Sequence, residues 1–252
     1  MSGKRLIVFD LDGTLAESKS PIDEKMGVLL GELLAHRQVA VISGSPYEYF
    51  EMNLVRRLPP VGESLRNLFL FPTCATRCYE FNGSWACAYM EKLTVEEKKK
   101  IFDAFAKALA EVGFEEPENV YGDIIEDRET QISFSAFGQR APLELKKGWD
   151  PDFRRRRPIQ KALLEYLPDF EVKIGGTTTI DVTRKGVDKA YGIAQMEKRF
   201  GISKEEMLFV GDTLFEGGND YPVKESGVES IQVSGPRETK EVIRSLLAGF
   251  SS

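Results

Sequence analysis

The chain has 252 residues, room for one large domain or two modest ones with real hydrophobic cores. Its composition is that of an ordinary globular protein, and a formal net charge of −6 argues against a nucleic-acid surface. No apolar run approaches the roughly 18 residues of a membrane span, so no membrane partner is expected.

The first apolar run, residues 6–9, arrives without the apolar region or cleavage site of a signal peptide, and the expected compartment is the cytoplasm. It reads as a buried parallel strand and leads directly into Asp10-Leu11-Asp12-Gly13-Thr14. An amphipathic helix is expected over 22–36, then a strand over 39–42 that ends at Ser43-Gly44-Ser45, and another strand over 67–71. Cys74, Cys78 and Cys87 are an odd set, which argues against a disulfide framework. The one histidine, His36, lies on a different expected element, so zinc is not expected and the chemistry must run on carboxylates, lysine and a harder metal.

From about residue 80 the texture changes. Segments 85–90, 120–125, 131–137, 171–174 and 178–182 read as more alternating strands, interrupted by helices over 95–111 and about 158–166. A second run of core texture follows, with a helix over 186–200 opening near Lys189, strands over 207–210 and 230–233, and a closing helix over 237–247. The expected class is α/β: a doubly wound, mostly parallel sheet (residues 1–80 and 184–252) carrying an inserted α+β domain (81–183).

Asp10 and Asp12 stand at the carboxyl end of the first strand, where open α/β sheets bind ligands. Two carboxylates that close call for a hard cation, and Mg²⁺ suits a few carboxylates plus a substrate phosphate. One carboxylate can then attack phosphorus while the other handles a proton. Ser43 with its neighbouring N–H groups can hold phosphoryl oxygens, and Lys189 can offset their charge. Asp212, after the strand over 207–210, completes an Mg²⁺ site, with Asn219 and Asp220 binding the ion or orienting Lys189.

Asp10 to Thr14, Ser43, Lys189 and Gly211-Asp212 with Asn219-Asp220 resemble the four motifs of the haloacid dehalogenase (HAD) phosphotransferase superfamily. The insert resembles the C2-type cap of its Cof-like branch. That resemblance implies Asp10 as a nucleophile forming an aspartyl-phosphate and Asp12 as general acid/base. It implies Mg²⁺ held by Asp10, the Asp12 carbonyl and Asp212. Segment 211–220, the cap segment 175–182 and Glu126-Asp127-Arg128 with Phe137-Gly138 are similar to eukaryotic-type phosphomannomutases. The similarity assigns sugar-phosphate binding to Arg128, Thr179 and Asp181.

Where that family has a second phosphate-binding arginine after the glycine, this chain has Gln139, with Arg140 one place later. Arg140 substitutes only if a bulge or loop re-aims it, since a one-residue slip along a strand reverses the face. Arg154 to Arg157 lie nearby and can compensate for the missing arginines, but the favoured expectation for them is a solvated basic turn before Pro158. The resemblance implies a phosphomutase acting on a hexose phosphate, mannose 1-phosphate and mannose 6-phosphate first, with a hexose bisphosphate as a candidate activator. With fewer cap arginines the bisphosphate intermediate can escape, so a sugar-phosphate phosphatase stays open. A phospho-ligand binding module without catalysis is the non-enzymatic alternative.

Overall fold

The computed structural model describes residues 3–249. Among the described residues eleven strands form two sheets. In the larger, β1 (Leu6–Asp10), β2 (Gln38–Ile42), β3 (Leu68–Phe71), β10 (Met207–Gly211) and β11 (Glu229–Gln232) run parallel, in the order β11-β10-β1-β2-β3. Two antiparallel strands, β4 (Arg77–Phe81) and β5 (Trp85–Met90), extend it beyond β3. β1 is buried along its whole length, as its unbroken apolar text requires of a strand covered on both faces. One apolar layer packs Phe9, Val41 and Leu70 against Leu30 and Leu33 of the helix Glu24–Leu34 and Ile243 of the helix Pro236–Ala248. The opposite layer packs Val8, Ala40 and Phe209 against Ile193 and Met196 of the helix Lys189–Phe200.

The smaller sheet is antiparallel, order β6-β7-β9-β8, from β6 (Ile125–Asp127), β7 (Ile132–Ser135), β8 (Phe170–Gly175) and β9 (Thr179–Arg184). Ile132, Phe134, Val172, Ile180 and Val182 form its apolar face, packed with Ile101 and Phe105 of the helix Val95–Glu111 and Ile159 and Leu163 of the helix Arg156–Tyr166. Thr94 and Glu97 close a reciprocal capping box that starts the first of these helices where its text predicts.

The two compact units are Met1–Met90 with Asp188–Ser252, and Glu91–Val187. Their boundaries lie beyond the expected positions near 80 and 184, because the segment 85–90 pairs with β4 in the larger sheet instead of joining the insert. Alternation marks any half-covered strand, an antiparallel edge of a core sheet included. The segment 120–125 is mostly loop, with strand beginning only at Ile125. Among the described residues no helix is long and apolar enough to cross a membrane.

Candidate active site

β10, β1 and β2 lie side by side, and their carboxyl ends deliver the chemistry-bearing residues to one edge. Asp10 is the last residue of β1 and is buried. Lys189, the first residue of its helix, is also buried, and its Nζ lies 2.5 Å from Asp10 Oδ1 and 2.5 Å from Asp220 Oδ1. Asn219 Oδ1 accepts a third bond from it at 3.3 Å. Asp220 is fully buried, and its Oδ2 accepts from the Thr213 backbone N–H and hydroxyl at 3.0 and 2.9 Å. Its attachment to Lys189 therefore orients the ammonium toward Asp10.

Carboxylate oxygens of Asp10, Asp212 and Asp220 all lie within 4.8 Å of one another. Glycines make this crowding possible. A Cβ on Gly13, whose φ is +87°, would meet Asp212 Oδ2 at 2.4 Å, and one on Gly211 would meet Asp220 Oδ2 at 2.5 Å. Burial pushes the Asp10 carboxyl up to about 7; Lys189 opposes this, and Asp220 and Asp212 add to it. Burial followed by Asp220 raises Asp212 as well. Burial disfavours the Lys189 ammonium, but Asp10 and Asp220 outweigh it and raise its pKa. These directions agree: one ammonium faces three carboxylates, so the cluster is net negative. Asp220 spends its second oxygen on Thr213, whereas Asp10 keeps one oxygen outside its Lys189 bond and Asp212 makes no bond to Lys189, a donor set that fits a hard divalent cation.

Asp12 does not join that cluster through its carboxylate. Its Oδ1 accepts from the Lys19 backbone N–H at 2.7 Å and from the Tyr49 hydroxyl at 2.9 Å. Ser43 follows β2 and is buried, with its Oγ accepting from the Ser45 N–H at 3.1 Å. This turn is clamped by a stretch the sequence did not reveal: Thr73, Cys74 and Ala75 all take positive φ, 49°, 55° and 66°. Thr73 N–H then reaches Ser45 O and Cys74 N–H reaches Ser43 O, each at 3.0 Å.

In the inserted unit, Glu126, Ser133, Asp181 and Lys173 stand opposite one another across the four strands, on the face away from the apolar layer. Asp181 Oδ1 accepts from Ser133 Oγ at 2.6 Å, and Ser133 Oγ accepts from Gln131 Nε2 at 2.7 Å. Arg128 is buried just past β6, with Nε 2.5 Å from Glu126 Oε2. Thr179 opens β9 after the turn 176–178.

Arg140 is exposed; its guanidinium flanks Gly122, and its N–H bonds the Tyr121 carbonyl. No hydrogen bond or ion pair ties its side chain to Arg128, Thr179 or Asp181 among the described residues. The cation near Gln139 is Lys146, buried, with Nζ donating to the Gln139 carbonyl at 2.6 Å. The expectation of a solvated turn at 154–157 fails at Arg156. Its side chain is 1% exposed and pairs with Asp150 Oδ2 at 2.7 Å. It also donates to the carbonyls of Gly175 and Gly176 at 3.0 and 2.9 Å. Arg154, Arg155 and Arg157 are exposed as expected.

Comparison with known proteins gives consistent findings. A family model described as eukaryotic phosphomannomutase matches residues 28–249. A phosphomannomutase of Encephalitozoon cuniculi is 29% identical, over 94% of this chain and 91% of its own. One from Spinacia oleracea is 29% identical over 88% of each chain. Among solved structures, a C-terminally truncated IMP-nucleotidase of Plasmodium falciparum aligns with a TM-score of 0.75 at 19% identity, covering 98% of this chain and 72% of that one. A haloacid dehalogenase-like hydrolase from Bacteroides thetaiotaomicron aligns at 0.65 and 17% identity, covering 96% and 99%. The structural likenesses establish the HAD-type fold, and the family model extends over most of the sequence: the chain belongs to the eukaryotic phosphomannomutase family.

Proposed function

We propose that this chain is a Mg²⁺-dependent phosphotransferase that moves a phosphoryl group on a hexose phosphate through Asp10, interconverting mannose 1-phosphate and mannose 6-phosphate. The observation that carries this reading is the buried Asp10 carboxylate, 2.5 Å from the Lys189 ammonium, with Asp212 and Asp220 around it. An Asp10 oxygen attacks phosphorus while the bond to the sugar oxygen breaks, and that oxygen takes a proton from Asp12. The acceptor hydroxyl then returns its proton to Asp12 as it attacks the phosphoaspartate and frees the Asp10 carboxylate. Ser43 and the turn behind it hold phosphoryl oxygens, and Lys189 offsets their charge. Mg²⁺, held by Asp10, the Asp12 carbonyl and Asp212, supplies further neutralisation of the transferring group when bound. Arg128, Thr179 and Asp181 recognise the rest of the sugar phosphate, and a hexose bisphosphate serves as activator. The compartment proposed is the cytoplasm.

One observation favours a second outcome. With Gln139 in place of an arginine and Arg140 exposed beside Gly122, retention of a bisphosphate intermediate rests on fewer bidentate charges. Incubation with mannose 1-phosphate and Mg²⁺, with and without a hexose bisphosphate, separates the two. Mannose 6-phosphate in excess over inorganic phosphate supports the mutase. Phosphate release alone makes the chain a sugar-phosphate phosphatase.

The Asp10 carboxyl, raised to about 7, sets a pH dependence for the metal. Below pH 7 a cation must displace a proton from this group; above it, the carboxylate is free. Mg²⁺ affinity should therefore strengthen by about tenfold from pH 6 to pH 8 for one displaced proton. Thermal-shift titrations at the two pH values measure this, and equal affinities would remove Asp10 from the ligand set.

A further inference from the structure

Tyr49 has no part in the chemistry above, yet its hydroxyl donates to Asp12 Oδ1 at 2.9 Å. It lies on the short helix Tyr47–Asn53, which is fixed by two neighbours. Phe50 is fully buried, and the Tyr47 ring stacks on Tyr79 with centroids 3.9 Å apart. With those two anchored, the Tyr49 ring is directed at Asp12, and the Lys19 ammonium sits 5.3 Å from its centroid. Lys19 itself takes a φ of 58°, a conformation that L-residues avoid, and in it the backbone N–H reaches the same Oδ1 at 2.7 Å.

The two oxygens of Asp12 are thereby made unequal. Oδ1 accepts two well-formed hydrogen bonds, which occupy both of its in-plane lone pairs. Oδ2 has only long approaches, from Ser45 Oγ at 3.5 Å and Lys19 Nζ at 3.9 Å. A carboxyl that alternately carries and releases a proton must carry it on an oxygen whose lone pair is open. We propose that Tyr49 is a positioning residue that confines the transferable proton of Asp12 to Oδ2 and fixes the direction in which it is delivered. The proposal rests on the acid/base reading of Asp12. In the forward step the phosphorus–oxygen electron pair passes to the leaving oxygen, the Oδ2 proton bonds to it, and Asp12 is left as carboxylate. In the return step the incoming hydroxyl gives its proton to Oδ2. Burial and the Asp12 charge raise the Tyr49 phenol pKa, so Tyr49 remains a donor throughout.

The test compares Tyr49→Phe and Asp12→Asn with the parent on two substrates. Mannose 1-phosphate has a sugar oxygen that needs a proton to leave; p-nitrophenyl phosphate releases a stable phenolate that needs none. Initial bursts of p-nitrophenolate and single-turnover loss of mannose 1-phosphate isolate the first transfer. Tyr49→Phe, which deletes one oxygen, should lower the rate on mannose 1-phosphate at least tenfold more than on p-nitrophenyl phosphate, without raising KM. Asp12→Asn should show the same leaving-group pattern with a larger loss. Equal losses on both substrates, or none, for Tyr49→Phe overturn the proposal while Asp12→Asn still follows the pattern. If Asp12→Asn itself shows no leaving-group dependence, the acid/base reading falls instead.

Discussion

Replacing Asp10 by Asn is expected to remove turnover on any phosphorylated substrate, with kcat lower by on the order of 10⁴-fold or more, the scale seen when a catalytic nucleophile is deleted. The amide keeps the shape of the carboxylate but cannot form the acyl-phosphate bond. Stability should move the other way. Asp10 is 3% exposed, and its carboxyl is pushed up to about 7 by burial and by the neighbouring Asp220 and Asp212. Neutralising it removes one like charge from the cluster, and Lys189 keeps its bond to Asp220. Thermal melting at pH 8 in the absence of Mg²⁺ should therefore match or exceed that of the parent. Its sign follows from linkage: a carboxyl whose pKa rises on folding destabilises the fold progressively as pH climbs from the unfolded value of 3.8 to the folded value of about 7, so the whole penalty is present at pH 8. Activity within tenfold of the parent would exclude Asp10 as nucleophile, and a marked fall in melting temperature would show that the carboxylate is structural.

The largest effect on folding is expected at Arg156, in the inserted unit. Its guanidinium meets the Asp150 carboxylate at 2.7 Å, the Asp150 carbonyl at 3.2 Å, and the carbonyls of Gly175, Gly176 and Thr179 at 3.0, 2.9 and 3.4 Å. Arg156→Met leaves a fully buried carboxylate without its ion-pair partner and removes the donors that reach the carbonyls of Gly175, Gly176 and Thr179 around the β8–β9 turn. Loss of one partner from such a pair costs about 3–5 kcal/mol. Urea unfolding followed by fluorescence of Trp149, which neighbours Asp150, reads this directly. Adding Asp150→Leu should recover part of the loss, since removing both charges spares the unpaired one. A single variant within 1 kcal/mol of the parent, roughly the size of an ordinary surface substitution, would mean that the pair is dispensable. Thr179 and Asp181 follow that turn on β9, so sugar-phosphate KM should rise in the single variant and partly return in the double.

The parallel core and its strand-end carboxylates were legible because buried parallel strands leave continuous apolar text, and three of those runs lead straight into Asp10, Ser43 and Gly211-Asp212. The four-arginine run did not reveal which member turns inward, because only the start of the helix Arg156–Tyr166 decides that one arginine is buried and its three neighbours are not. The position of Arg140 depended on a left-handed Gly138, at φ +78°, which redirects the chain after β7. Tyr49 carries no mark in the sequence, since an aromatic residue on a short helix is packing in most folds. The left-handed run 73–75 was invisible for a stronger reason: none of its residues is glycine or asparagine, the usual marks of that conformation.

The place of β1 in the sheet has a consequence for biosynthesis. Its neighbours are β2, which follows it closely, and β10, whose first residue is Met207. At roughly 5–20 residues per second, a ribosome needs about 8–33 s to travel from Ile42 to Met207. Throughout that interval Leu6–Asp10, apolar at four of its five positions, presents an open hydrogen-bonding edge that a chaperone must shield or another nascent chain can capture.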